Sequence, residues 1–118
     1  MSSSTAKSAL LPAPFIKEAK DGPIAGLKVI TLKDLTGASA TLEIPSSAVK
    51  AGDRVRAWSS GDSGTVIDEI KTVAAIPLTF SVAKEKLIKG HTITFSYLLL
   101  NDKDEPTAVS SAVPYSIV

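Results

Sequence analysis

The sequence predicts an all-β domain, and three observations support this prediction. Apolar and polar side chains alternate in several segments, as they do along strands that bury one face. Turn-forming residues separate these segments at intervals typical of a β-sandwich or barrel. The 118 residues include 15 Ser and 10 Thr but one Asn and no Gln, a balance that favours strands and turns. The length is that of one ordinary domain.

The strands are predicted from this alternation and from the turn signals between the segments. The alternating apolar positions are Ala40, Leu42 and Ile44; Leu78, Phe80 and Val82; Ile93, Phe95, Tyr97 and Leu99; and Val109, Val113, Tyr115 and Ile117. Ser111 is the polar exception in the last group. Turn signals lie at 21–23, 36–37, 51–53, 61–64, 89–90 and 101–106. Together they predict seven or eight mostly antiparallel strands, at 14–20, 27–32, 38–44, 53–59, 66–73, 78–82, 91–100 and 108–118.

Two short segments, 46–49 and 84–88, are predicted to form helical turns. In the second, Leu87 or Ile88 is expected to close one end of the core. The strand at 53–59 leaves two alternatives open for Trp58. Either a bulge turns its ring inward, or the ring lies outside among the stems of Arg54 and Arg56.

The N-terminal residues 1–9 are small and polar without any period, and they predict a flexible arm before a domain at 10–118. Leu10 and Leu11 follow this arm and are candidate partner-binding residues. Pro12 and Pro14 are expected to stiffen the segment and to suppress its pairing with the protein's own sheet. We find no signal-peptide pattern and no apolar run long enough to span a membrane, so we expect a soluble protein made in the cytoplasm, or a piece of a longer chain.

Charge and cysteine content exclude several classes of function. With 13 basic and 12 acidic residues, the net charge is +1, so a basic face for nucleic acid or anionic lipid is not expected. Membrane insertion is not expected either, because no apolar run is long enough to span a bilayer. The absence of cysteine excludes a disulfide framework, a zinc–thiolate site and a thiol nucleophile.

Several segments together resemble bacterial immunoglobulin-like modules. They are LPAP at 11–14, ATLEIP at 40–45, AGDRV at 51–55 before Trp58, PLTFSV at 77–82, the turn at 84–88 and the strand at 93–100. The resemblance covers residues 10–118 and implies a single immunoglobulin-like sandwich with Greek-key connections and no catalytic residues. Such modules occur as tandem repeats in bacterial surface proteins and as decoration domains on phage particles. The sequence departs from the pattern at 46–49, where a turn with Gly or Pro is expected, and in carrying one copy with its own arm.

Candidate chemical sites are few. His91, the single imidazole, is expected at the surface where a strand begins, and the run 61–64 is one residue short of a nucleophile elbow. Asp102, Asp104 and Glu105 lie in one loop but lack the spacing of a calcium loop. The cluster of Asp62, Asp68 and Glu69 is expected to be solvated. We therefore predict no catalytic, cofactor-binding or metal-binding residues and no cofactor.

The sequence thus favours a non-enzymatic structural or adhesive module that binds other protein subunits of a larger assembly. The preferred setting is the surface of a phage virion or virion-like particle, assembled in the host cytoplasm. The first alternative is one repeat of a bacterial surface adhesin. A carbohydrate-binding module, with Trp58 stacked on a cell-surface glycan, is a further alternative. Across these hypotheses the candidate partner-binding residues are Leu10, Leu11 and Trp58.

Overall fold

The computed structural model of the chain describes residues 10–118, in which two β-sheets pack face to face around one core. The predicted arm, residues 1–9, lies outside the described residues. The strands of the described part are β1 (Phe15–Ile16), β2 (Lys20–Asp21), β3 (Lys28–Ile30), β4 (Ser39–Ile44), β5 (Arg54–Gly61), β6 (Asp68–Thr72), β7 (Leu78–Ala83), β8 (Thr92–Leu100), β9 (Pro106–Val109) and β10 (Val113–Ile117). The all-β prediction is confirmed.

The smaller sheet has the order β1-β4-β7 and is antiparallel throughout. Along β4 and β7 every second side chain is buried, which is the alternation that the sequence shows. Leu42 lies directly opposite Phe80 in this ladder, and both are buried in the core.

The larger sheet has the order β2-β3-β10-β8-β5-β6, and β9 pairs with the far end of β8. Its centre is the long antiparallel pair of β5 and β8, which holds eight residues of each strand in register. Strands β3 and β10 pair in parallel, whereas the other strand pairs of this sheet are antiparallel.

The core fills the space between the sheets and contains aromatic side chains at its centre. Phe95 and Tyr115 meet edge to face, with ring centroids 5.6 Å apart and an interplanar angle of 71°. The Tyr115 hydroxyl accepts a hydrogen bond of 3.2 Å from the backbone N–H of Ile16, which ties the two sheets together.

The predicted helical turns are confirmed as single turns of 3₁₀ helix at Ser46–Ala48 and Lys84–Lys86, and a third lies at Leu32–Asp34. Of the two residues expected to close the core after the second turn, Leu87 is buried and Ile88 is half-exposed. No helix within residues 10–118 is long and apolar enough to cross a membrane.

The first predicted strand, 14–20, is wrong as a single element. The chain forms β1 in the smaller sheet, turns, and forms β2 at the edge of the larger sheet. Glu18 stabilises the turn, because its carboxylate accepts hydrogen bonds of 2.8 and 2.9 Å from the backbone N–H and the hydroxyl of Thr41. Dividing this segment is one reason why the described part has ten strands.

The last predicted strand, 108–118, is also divided. Leu98 pairs with Val109 and Phe95 pairs with Val113, so the register shifts by one residue between β9 and β10. Ser110 lies at this bulge. Its hydroxyl accepts a 3.0 Å hydrogen bond from the N–H of Tyr97 and donates one of 2.8 Å to the carbonyl of Ser111.

Candidate functional site

The face of the larger sheet that points away from the core, here called the outer face, carries Trp58. Val55 and Ala57 in β5 are fully buried, whereas Arg54, Arg56 and Trp58 alternate with them and are partly exposed. Of the two alternatives left open by the sequence, the structure has the second: the Trp58 ring lies on the same outer face as the two arginines.

A row of mainly apolar side chains crosses the outer face. Ile70 lies opposite Arg56 in the ladder, Arg56 lies opposite Leu98, and Leu98 lies opposite Val109. Residues opposite each other share a face, so these four side chains form a line across four strands. Ile70 and Val109 are 40% and 39% exposed, and Leu98 is partly exposed.

Leu10 extends this line by one more strand. Leu11 bridges in parallel to Ser110, which sets Leu10 beside Val109. Since Leu11 packs against the core and successive side chains of an extended chain alternate, Leu10 lies on the outer face, where it is 58% exposed. We call Leu10, Val109, Leu98 and Ile70 the outer row.

Leu11 is held by backbone hydrogen bonds to its own sheet. Its N–H donates to the carbonyl of Val109 at 3.0 Å, and its carbonyl accepts from the N–H of Ser111 at 2.8 Å. The expectation that Pro12 and Pro14 suppress such pairing is therefore wrong, because the paired residue precedes both prolines. Of the two side chains, Leu10 is the more exposed.

The predicted partner-binding residues are therefore brought together only in part. Leu10 and Trp58 share the outer face and are three strands apart, which corresponds to about 14 Å at the spacing of neighbouring strands. The indole nitrogen of Trp58 is buried and has no hydrogen-bond partner among the described residues. The indole N–H is thus turned into the protein and is not available to a ligand.

The charged side chains next to the outer row are paired with one another. Arg56 donates two hydrogen bonds of 2.7 Å to the carboxylate of Asp68, and this contact lowers the pKa of Asp68 below its ordinary value. Arg54 forms the same two-pronged contact with Asp104 and lowers its pKa. Arg56, which lies between Leu98 and Ile70 in the line across the sheet, is thus paired in charge within the chain.

Ser63 and His91, which the sequence separates by 28 positions, are in contact. The Ser63 hydroxyl lies 2.8 Å from Nδ1 of His91. Nucleophilic catalysis also needs a third group that orients the imidazole. The neighbouring Asp62 carboxylate instead accepts a hydrogen bond from the N–H of Thr92. The contact fastens the turn at 61–64 to the start of β8, and within residues 10–118 no carboxylate is hydrogen-bonded to the His91 ring.

Polar side chains of the loop between β8 and β9 are engaged in hydrogen bonds within the chain. The Asn101 side-chain oxygen accepts from the N–H groups of Lys103 and Glu105, at 2.8 and 2.9 Å, and Asp104 is bound by Arg54. Within residues 10–118, no group of three or more His, Asp or Glu side chains is arranged to hold a metal ion.

Comparisons with known proteins add no relative: no family model matches the chain, and no curated protein or solved structure is significantly similar to it.

Proposed function

We propose that this chain is a non-enzymatic, immunoglobulin-like module that attaches to other protein subunits of a larger assembly. The observation that carries this proposal is the outer row. Exposed apolar side chains in a contiguous patch, rimmed by polar residues, are typical of protein interaction surfaces. Here Leu10, Val109 and Leu98 lie side by side, and Ile70 follows on the far side of Arg56, whose charge is paired with Asp68 within the chain.

Strand order supports the immunoglobulin-like part of the proposal. Strands β4 and β7 belong to one sheet, and β5, β8 and β10 belong to the other. The chain therefore crosses between the sheets from β4 to β5, from β6 to β7 and from β7 to β8. Immunoglobulin-like sandwiches divide their strands between two sheets in the same way.

The setting that we favour is the surface of a phage virion or virion-like particle. The resemblance of the sequence to modules that decorate such particles supports it, and a row of apolar side chains suits attachment to a lattice of neighbouring subunits. A repeat of a bacterial surface adhesin is the alternative setting, in which the same face would contact an adjacent module.

The proposal is tested by fractionating extracts of cells that produce the chain natively on a density gradient. We expect the chain in the fast-sedimenting particle fraction. Recovery only in the slow fractions, as a species of 12.3 kDa or a small multiple of it, would contradict the proposal.

A pair of variants assigns the attachment to the outer row. Val109→Glu places a charge within the row and should release the chain from the particle fraction. Ile88→Glu makes the same chemical change at a half-exposed residue outside the row and should leave the distribution unchanged. Equal behaviour of the two variants would exclude the outer row as the attachment surface.

A further inference from the structure

Strand β6 is the last strand of the larger sheet, and within residues 10–118 it pairs only with β5. Two hydrogen bonds establish which of its backbone groups are used. The Val73 N–H donates to the carbonyl of Asp53 at 2.8 Å, and the Ser59 N–H donates to the carbonyl of Ile67 at 3.2 Å. Hydrogen-bonded pairs alternate along an antiparallel ladder. The backbone N–H and carbonyl groups therefore point toward β5 at residues 67, 69, 71 and 73.

The remaining residues of the strand, Asp68, Ile70 and Thr72, therefore point their N–H and carbonyl groups away from the sheet. Within residues 10–118 no strand pairs with these six groups, so they form an open edge, and such an edge can add a further strand.

The neighbouring edge of the smaller sheet, β7, is partly covered by comparison. The side-chain nitrogen of Lys71 donates to the outward carbonyl of Thr79 at 2.9 Å and lies 5.0 Å from the ring centroid of Phe80. The edge strands β1 and β2 have two residues each. Among the edge strands in the described part of the chain, β6 is thus the longest one whose outward groups are open.

The sequence of β6 is complementary to itself when two copies run antiparallel about Ile70. In that register Ile70 faces Ile70 of the second copy, Asp68 faces Thr72, and Glu69 faces Lys71. The acidic and the basic position therefore face each other twice, once on each side of the two-fold axis. Opposite charges at facing positions stabilise a strand pair, and no like charges oppose each other.

We propose that β6 pairs antiparallel with β6 of a second copy of this chain, with the two-fold axis at Ile70. Asp68, Ile70 and Thr72 of each copy then exchange six backbone hydrogen bonds across the axis, and the two larger sheets become one continuous sheet. The exposed Ile70 side chains face each other, and the outer rows of the two copies become continuous.

The contact involves one five-residue strand from each copy, so the interface is small and the dimer is expected to dissociate on dilution. Sedimentation equilibrium of the full chain from ~10 µM to ~1 mM should span the change from 12.3 kDa to twice that mass. A mass of 12.3 kDa at every concentration would overturn the proposal.

Amide hydrogen exchange tests the alternation along the strand. At low concentration the N–H groups of Asp68, Ile70 and Thr72 should exchange fast, and those of Glu69 and Lys71 slowly. At high concentration the Ile70 N–H should become protected while Glu69 and Lys71 change little. If the Ile70 exchange rate is the same at both concentrations, β6 does not pair with itself, even if a dimer forms elsewhere.

Charge-swap variants test the register. Glu69→Lys sets lysines opposite each other and should weaken the dimer about tenfold or more, whereas the double variant Glu69→Lys/Lys71→Glu should regain most of the affinity. Glu85→Lys makes the same charge change at an exposed residue away from β6 and serves as the matched control. Equal dissociation constants for Glu69→Lys and Glu85→Lys, or no recovery in the double variant, would overturn the proposed pairing.

A proline variant tests the backbone groups themselves. Ile70→Pro removes an outward N–H that β5 does not use, so it should abolish the dimer while the melting curve still shows a cooperative fold. A dimer of unchanged affinity in a folded Ile70→Pro variant would exclude β6 as the interface.

Discussion

Replacement of Phe95 by alanine tests the assignment of faces in the central strand of the larger sheet. Phe95 is completely buried, lies between Ile93 and Tyr97 on the inner side of β8, and contacts the Tyr115 ring edge to face. Truncating a fully buried phenylalanine removes its apolar surface from the core and leaves a cavity, which costs about 3–5 kcal/mol.

That loss is large relative to the stability of a small domain, which is about 5–15 kcal/mol. In a chain of this length it corresponds to a fall in melting temperature of about 10–20 °C. Urea denaturation followed by circular dichroism gives the free energy directly, and the slope of the transition shows whether the variant still unfolds from a compact state.

The matched control is Thr94→Ala in the adjacent position of the same strand. Thr94 lies on the outer face and is partly exposed, so its truncation should change the free energy of unfolding by less than about 0.5 kcal/mol. A loss below about 1 kcal/mol for Phe95→Ala, or comparable losses for the two variants, would refute the assignment of inner and outer faces.

Three further predictions concern polar groups. Ser110→Ala removes the buried hydroxyl that accepts a hydrogen bond from the Tyr97 N–H and should lower the free energy of unfolding, measured by urea denaturation, by about 1–3 kcal/mol. Ser110→Thr keeps a hydroxyl at this position and should lower it less. Burial raises the pKa of Tyr97 to about 12, above its ordinary value of 10.0. The protonated Tyr97 hydroxyl should thus contribute fully to the free energy of unfolding below pH 10, and this contribution should be lost as the pH rises from 10 to about 12. The free energy of unfolding of Tyr97→Phe should fall less over the same pH range. Millimolar calcium should leave the melting temperature unchanged, because Arg54 occupies the Asp104 carboxylate; a rise of several degrees would make this loop a calcium site.

The parts of the fold that the sequence predicts well are those in which one face is buried along a whole strand. In β4 and β7 the alternation of apolar residues matches the burial pattern residue by residue. Such strands can be predicted because a slip of one residue would move every apolar side chain into solvent. The pattern of apolar residues in the sequence therefore specifies the strand register.

The last strand shows where this reasoning fails. Val109 and Val113 have the same parity in the sequence, yet Val109 lies on the outer face and Val113 packs against the core. One extra residue at the bulge inverts the faces, since Ser110 supplies a side-chain acceptor where the ladder would use a carbonyl. A serine gives no local signal of this role, because the need for it arises only from the N–H of a distant strand.

The composition of the outer row depends on that bulge. In an unbroken strand from 108 to 118, Val109 would share the inner face of Tyr115 and would not lie beside Leu98. The one-residue shift instead turns Val109 outward, where Leu10 aligns with it through the bridge between Leu11 and Ser110. The sequence could therefore name Leu10, Leu11 and Trp58 as candidates, but it could not show which apolar side chains continue the row from Leu10 across the sheet. The surface arises from the pairing of three segments distant in the chain, and the bulge determines which of their side chains face outward.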